Sequence, residues 1–299
     1  MSATQDDPVT LSLDILRRLP PAHVKENVEK LMKVMPNEAD DLASSVDQPL
    51  TLQVDDSKEG AGREFLCCDY NRDGASWRSW YSNQYFPPIT TEEGEDAPIV
   101  PTGALRELEL HANDAFETYR KLYYETGYTS TYLWDMDSAS SESLPTNFAG
   151  VVLFKKDLDT PIEEGKPATL GTWDSIHVFE VSSTRDTVTG SSSARYKISS
   201  SVMLSLQRTD TNNVGLVDLG GSLTRQTQDT CKVEDASSHI SNLGRIIEDI
   251  EGKIRNQLQE IYFGKMEDIV NHLRSTDDLE ASRNAKKLQE ELVAGWERA

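Results

Sequence analysis

The chain of 299 residues carries 51 acidic and 30 basic side chains, a formal net charge of −21, and 37% of its residues are apolar. That apolar content is enough for the core of one large domain or two ordinary ones, while the negative charge works against unaided binding to nucleic acid or an anionic membrane. The three cysteines (Cys67, Cys68, Cys231) lack metal-ligand spacing, and neither a signal peptide nor a run near ~18 apolar residues is present, so a reduced, cytoplasmic chain that does not span a membrane is expected.

In chain order, Asp7 can cap a first helix with Pro8 at its first position, and Leu11, Ile15 and Leu16 form a narrow stripe ending at Pro20-Pro21. A second amphipathic stretch carries Val24, Val28, Leu31 and Val34, and a third, "NEADDLASSV", runs on to the extended "DQPLTLQV". Residues 1–62 are therefore expected to form a stalk of three short antiparallel helices. Residues 63–88 hold Cys67, Tyr70, Trp77, Trp80, Tyr81, Tyr85 and Phe86 without helical or strand periodicity, which predicts a compact aromatic module of turns. An acidic, Pro/Gly-rich linker follows to residue 103, then a connecting helix over 104–128 ending at Gly127.

From 129 to 228 the pattern changes to five short apolar runs separated by polar gaps at 138–146, 157–168 and 183–194, which predicts five antiparallel strands joined by hairpin loops. A long helix over 239–275, with Leu243, Ile247, Ile250, Ile254, Leu258, Ile261, Ile269 and Leu273 at spacings near three and four, is expected to cover one face of the sheet. In the last segment, 283–299, Leu288, Leu292 and Trp296 share one helical face. The fold class is α+β. Such a sheet leaves two edges with unpaired backbone groups, which either loops or strands of a partner chain must manage.

The heptapeptide "CDYNRDG" at 68–74 opens like a calcium loop, with Asp69, Asn71 and Asp73 at ligand positions. Position twelve, however, is Trp80 in place of the closing glutamate, and no amphipathic helices flank it, so the reading is a tight polar turn enabled by Gly74. No phosphate loop, nucleophile elbow or zinc-protease motif occurs, and the five histidines are scattered, so no enzyme and no cofactor are expected. Lys253 and Arg255, two residues apart, read either as solvated helix charges or as a basic contact. The last helix either folds back onto the domain or docks in a partner's groove.

The blocks "RRLPP" (17–21), "SSVDQPL" (44–50), "CDYNRDG", "ANDAFETYRKLY" (112–123), "WDSIHVFEV" (173–181), "LGGSLTRQ" (219–226) and "EIYFGKMEDIVNHLRS" (260–275) resemble, in order, the β subunit of F-actin capping protein. The resemblance implies a stalk of three helices, a small β module, a five-stranded sheet crossed by a long helix, and a C-terminal amphipathic tail. It also implies an obligate heterodimer with an α subunit that continues the sheet. The implied function is calcium-independent capping of actin-filament barbed ends, blocking subunit addition and loss without severing, in the cytoplasm and actin cytoskeleton. By position, Leu288, Leu292, Trp296, Lys253 and Arg255 match actin-binding residues, the basic pair also being linked to inhibition by phosphoinositides. Arg18, Asp47 and Tyr85 match positions that bind the capping-protein-interaction motifs of regulators.

Two departures stand out. Gly295 sits where the family's tail carries an apolar residue, at an intrinsic helix cost of about 1 kcal/mol relative to alanine. The gaps at 138–146 and 157–168 look longer than in animal members, which suggests a fungal or otherwise divergent source with cortical actin patches as its site of action. The competing readings are a calcium sensor built on Asp69, Asn71 and Asp73, and a heterodimer scaffold that does not bind actin.

Overall fold

In a computed structural model, the described residues are 8–16, 23–44, 46, 48–89, 100–136, 147–160, 168–185, 192–209, 216–260, 264 and 287. The chain divides into two compact units, Met1–Ile254 and Arg255–Ala299. Of the second, only residues 255–260, 264 and 287 are described.

The first helix, α1 (Pro8–Leu16), uses its proline at a position where the missing N–H is no loss. Helices α2 (Val24–Val34) and α3 (Ala39–Ser44) follow, joined by a 3₁₀ turn at Pro36–Glu38. The three helices pack on one another through Ser12, Leu16, Val28 and Leu42, which are all buried. Of the stripe read from Leu11, Ile15 and Leu16, only Leu16 faces this interior; Leu11 and Ile15 are half exposed, on the outer side of α1.

Strands β1 (Thr51–Asp55) and β2 (Arg63–Cys67) pair antiparallel, so a hairpin spans the position where stalk and aromatic module were expected to divide. The aromatic segment has regular structure after all, in very short pieces. A 3₁₀ turn at Asp69–Asn71 leads into a three-stranded sheet of β3 (Arg72–Asp73), β4 (Ser76–Arg78) and β5 (Tyr85–Phe86), too brief to leave a sequence period.

Helix α4 (Gly103–Tyr123) stops before Gly127, with Tyr124 as its C-cap and Glu125 at φ +52. Gly127 answers a different need. A Cβ there would lie 2.5 Å from the Lys155 carbonyl oxygen, so only glycine permits this close approach to the sheet.

The main sheet is an antiparallel meander of β6 (Tyr128–Asp135), β7 (Asn147–Thr160), β8 (Ala168–Arg185), β9 (Ser192–Thr209) and β10 (Leu216–Lys232), in the order β10-β9-β8-β7-β6. Five antiparallel strands were expected, and five are found. Their lengths differ, because pairing continues into residues read as loop: Asp157↔Thr172 and Thr160↔Thr169 lie inside the β7–β8 ladder, and Arg185↔Ser192 closes the β8–β9 ladder. The gap at 138–146 lies outside the described residues.

Alternation along the strands divides the core in two. Phe148, Val152 and Phe154 of β7, Phe179 and Val181 of β8, and Tyr196 and Ile198 of β9 point to one face. Two helices cover that face, not one: Leu105, Leu108, Ala112 and Phe116 come from α4, and Leu243, Ile246 and Ile247 from α5 (Ala236–Gln259). The other face offers Tyr132, Val151, Leu153, Ile176 and Met203 to Leu50 and Leu66, so the β1–β2 hairpin is its cover. No helix of the described residues is long and apolar enough to cross a membrane.

Candidate functional site

The two edges of the main sheet are unlike. On the β6 side, backbone groups of Thr131 and Leu133 that a further strand would pair are taken by side chains of α4. Asn113 Oδ1 accepts the Thr131 N–H at 2.8 Å and its Nδ2 donates to the Thr131 carbonyl at 2.9 Å, so one amide imitates a strand residue. Two residues along, Glu109 Oε2 accepts the Leu133 N–H at 2.7 Å. Glu109 is 0% exposed, and its charge is met by Arg78, which donates to its two oxygens at 2.9 and 2.7 Å, and by Arg106. Burial alone would pull the Arg78 guanidinium down, but the charge and hydrogen bonds of Glu109 outweigh it, and its pKa is raised. This ion group ties β4 of the aromatic module, α4 and β6 together. At the opposite edge β10 pairs with β9 from Leu216 to Lys232, and among the described residues no strand lies on its outer side.

Helix α5 presents one of the two candidate basic residues to solvent. Lys253 is exposed and donates to Asp249 Oδ2 at 2.6 Å, one turn back. Arg255, two positions on, is rotated about 200° around the axis and is half-buried. The two cations do not share a face, which the sequence had left open.

Tyr85 lies in β5, opposite Arg78 in the ladder and half-buried; burial raises its hydroxyl pKa, against the opposing pull of Arg78. The heptapeptide beside it is a turn whose polar groups are engaged locally. Asn71 is buried, accepts the Cys68 N–H at 2.9 Å and donates to the carbonyls of Leu66 and Arg78 at 3.2 and 2.9 Å. Asp69 pairs with Arg72 at 3.6 Å, and Gly74 sits at φ +57. Its amide thus spent on backbone, Asn71 has no oxygen directed at an ion. Among the described residues no group of three or more His, Cys, Asp or Glu is placed to hold a metal.

One constellation has the residue types of a hydrolytic triad. His177 Nδ1 lies 2.8 Å from Ser200 Oγ, and its Nε2 lies 3.9 Å from Glu251 Oε1. All three are at most 1% exposed, so no substrate can reach them. Burial lowers the His177 pKa to about 3, which keeps the ring neutral and makes its approach to Glu251 something other than an ion pair. Trp134 and Trp173 are half-buried and pack against the cores on opposite faces of the sheet, and the Trp173 indole N–H donates to Ser175 Oγ at 2.7 Å.

Glu109, Asn113 and Glu251 were not singled out from the sequence. A signal existed: each sits on the apolar stripe of its helix, beside Leu105, Leu108 and Ala112 in α4 or Ile247, Ile250 and Ile254 in α5. A charged or amide residue at such a position must find buried partners. Leu288, Leu292, Trp296, Arg18 and Asp47 lie outside the described residues.

Comparison with known proteins fits this arrangement into a family. The family described as "F-actin capping protein, beta subunit" matches residues 9–270. The chain is 46% identical over 283 residues to the F-actin-capping protein subunit beta of Drosophila melanogaster, covering 95% of this chain and 93% of the fly protein. It is 42% identical to the proteins of the same name from Neurospora crassa (98% of this chain, 99% of the relative) and Caenorhabditis elegans (94% and 93%). A solved structure described as a homodimeric actin capping protein alpha subunit from Plasmodium berghei aligns over 90% of this chain and 96% of that one, at a TM-score of 0.47 and 12% identity. With a family match that spans most of its length and relatives above 40% identity along nearly all of it, the chain belongs to the F-actin capping protein β-subunit family.

Proposed function

We propose that this chain is the β half of a heterodimer that binds the barbed ends of actin filaments and blocks subunit addition and loss there. The observation that carries the reading is the family match over residues 9–270, which takes in the main sheet and α5. The α-subunit partner extends the sheet at β10, since the β6 edge is already occupied by Asn113 and Glu109 and a strand added there would have to displace both. The outward Leu11 and Ile15 of α1 offer the partner's stalk an apolar contact.

Actin is met by the tail stripe of Leu288, Leu292 and Trp296 and by the basic residues Lys253 and Arg255, with the two cations on different sides of α5. Binding needs no calcium, because the one sequence that resembles an ion loop uses Asn71 as a backbone bracket. The protein caps without severing and without catalysis, in the cytoplasm and actin cytoskeleton, including cortical patches. Arg18, Asp47 and Tyr85 serve regulators carrying capping-protein-interaction motifs, and phosphoinositides compete for the basic residues.

Seeded actin elongation with the co-expressed α subunit tests this reading. Nanomolar-scale heterodimer should stop growth at barbed ends, and growth at the uncapped rate with excess heterodimer would refute it. Assembly of the heterodimer without capping would favour the scaffold reading.

A further inference from the structure

Helix α5 carries an acidic residue on its buried face. Glu251 is 1% exposed and follows Ile250 on a stripe that continues to Ile254. Its carboxyl oxygens accept hydrogen bonds from Tyr119 Oη at 2.5 Å, from the Tyr124 hydroxyl and from Ser175 Oγ at 3.0 Å. Nearly one turn back, Glu248 takes the Tyr123 hydroxyl. The end of α4 therefore meets α5 through three phenols and two carboxyl groups, and Ser175 of β8 adds a third hydroxyl to the buried one.

Apolar packing cannot by itself fix how far α5 lies along the sheet. The stripe of Leu243, Ile246, Ile247, Ile250 and Ile254 repeats at spacings of three and four, so sliding the helix by one turn, about 5.4 Å, exchanges one branched aliphatic for another. Hydrogen bonds to Glu251 are directional and exist in one register only. In any other register a carboxyl group would be left among apolar side chains without donors, a cost that apolar contacts do not repay. A second polar contact, the Tyr196 hydroxyl to His239 Nδ1 at 2.9 Å with Asn242 donating to it at 3.1 Å, holds the other end of the helix. Twelve residues separate His239 from Glu251, so the His239 contact sets where α5 starts and the Glu251 contact sets the rotation of its later turns. Lys253 lies about 200° around the axis from Glu251, on the face that this rotation turns outward.

We infer that Glu251 is a positioning residue for capping: by accepting the hydroxyls of Tyr119, Tyr124 and Ser175 it fixes the register and rotation at which α5 presents Lys253. The inference rests on the reading of Lys253 as an actin contact.

The test uses the full heterodimer and measures its release from barbed ends together with its thermal stability. Glu251→Leu replaces the carboxyl with an apolar group of similar size; its heterodimer should still assemble, melt somewhat below the wild-type temperature because three hydroxyls lose their acceptor, and release about tenfold faster. Glu251→Gln keeps an oxygen for the hydroxyls and should restore near-wild-type release. Lys253→Ala should accelerate release alone but add little in the Glu251→Leu background, because a misplaced lysine has little left to lose. Wild-type release by Glu251→Leu beside an accelerated Lys253→Ala overturns the positioning role and leaves the lysine contact standing. No effect of Lys253→Ala overturns both. Should Glu251→Leu fail to assemble, Tyr119→Phe removes one donor, keeps the ring and is judged by the same outcomes.

Discussion

The side-chain amide of Asn113 in α4 pairs with both backbone groups of Thr131 in β6, giving and accepting one hydrogen bond each, at 2.9 and 2.8 Å. A helix side chain thus occupies the place of a neighbouring strand. Asn113→Leu, similar in size but unable to pair, leaves a buried N–H and C=O without partners. A loss of about 1–3 kcal/mol is expected in urea denaturation of the heterodimer. A variant as stable as the parent would show that water or a rearranged chain satisfies those groups.

The Arg78–Glu109 pair is almost wholly withdrawn from solvent, at 4% and 0% exposure, so removing one partner strands the other. Arg78→Met should destabilise by about 3 kcal/mol, somewhat less than a fully orphaned charge because Arg106 and the Leu133 N–H still serve Glu109. Pairing it with Glu109→Gln should recover part of the loss. The double-mutant cycle reads the coupling directly.

Two buried histidines set an acid limit. The folded pKa of His177 is about 3 and that of His239 about 4, both below the ordinary 6.5, and burial is the leading cause. Between those values and 6.5 the unfolded chain takes up protons that the folded chain refuses. Stability should therefore fall as pH drops below 6.5, by up to about 1.4 kcal/mol per pH unit for each ring. Asp174 acts in the opposite sense. Burial, against the pull of Lys155, raises its pKa from 3.8 to about 6, so the folded chain takes that proton first and gains stability as pH falls from 6 towards 3.8. Denaturation midpoints between pH 5 and 7 should show a net loss on acidification that is reduced in His177→Leu. An unchanged slope in that variant would place the effect elsewhere.

For the tail, ending the chain at Ala281 or changing Leu288 and Leu292 to polar residues should leave the heterodimer intact and speed its release from barbed ends. Each lost leucine removes about 1.5–3 kcal/mol of gross burial, part of it offset by the cost of ordering the helix. Unaltered release, measured by depolymerisation of capped seeds, would remove these residues from the actin contact.

Calorimetric titration of the heterodimer with calcium should give no binding heat. Saturable heat that disappears in Asp69→Asn/Asp73→Asn would restore the sensor reading.

Much of the architecture was legible because β7 and β8 alternate cleanly: Val151 and Leu153 face one way, Val152 and Phe154 the other. Strand ends were not, since Asp157, Asp159 and Thr160 are polar yet remain in the ladder, where backbone pairing needs no apolar side chain. The covering role of α4 was missed because Glu109 and Asn113 interrupt its apolar stripe with polar groups, which are buried because they serve β6. Motif blocks carried the family, but contacts such as Tyr119 to Glu251 join residues 132 positions apart and leave no local pattern.

The unequal rims of the sheet bear on how many subunits an assembly can hold. A sheet open at both sides can recruit strands without limit, the geometry of a fibre. Here Asn113 and Glu109 shut one side, so growth has a single direction, and a partner built likewise would exhaust both free edges at the first encounter. Stoichiometry would then be written into two helix side chains, and their loss should show as oligomers beyond the pair before it shows as loss of fold.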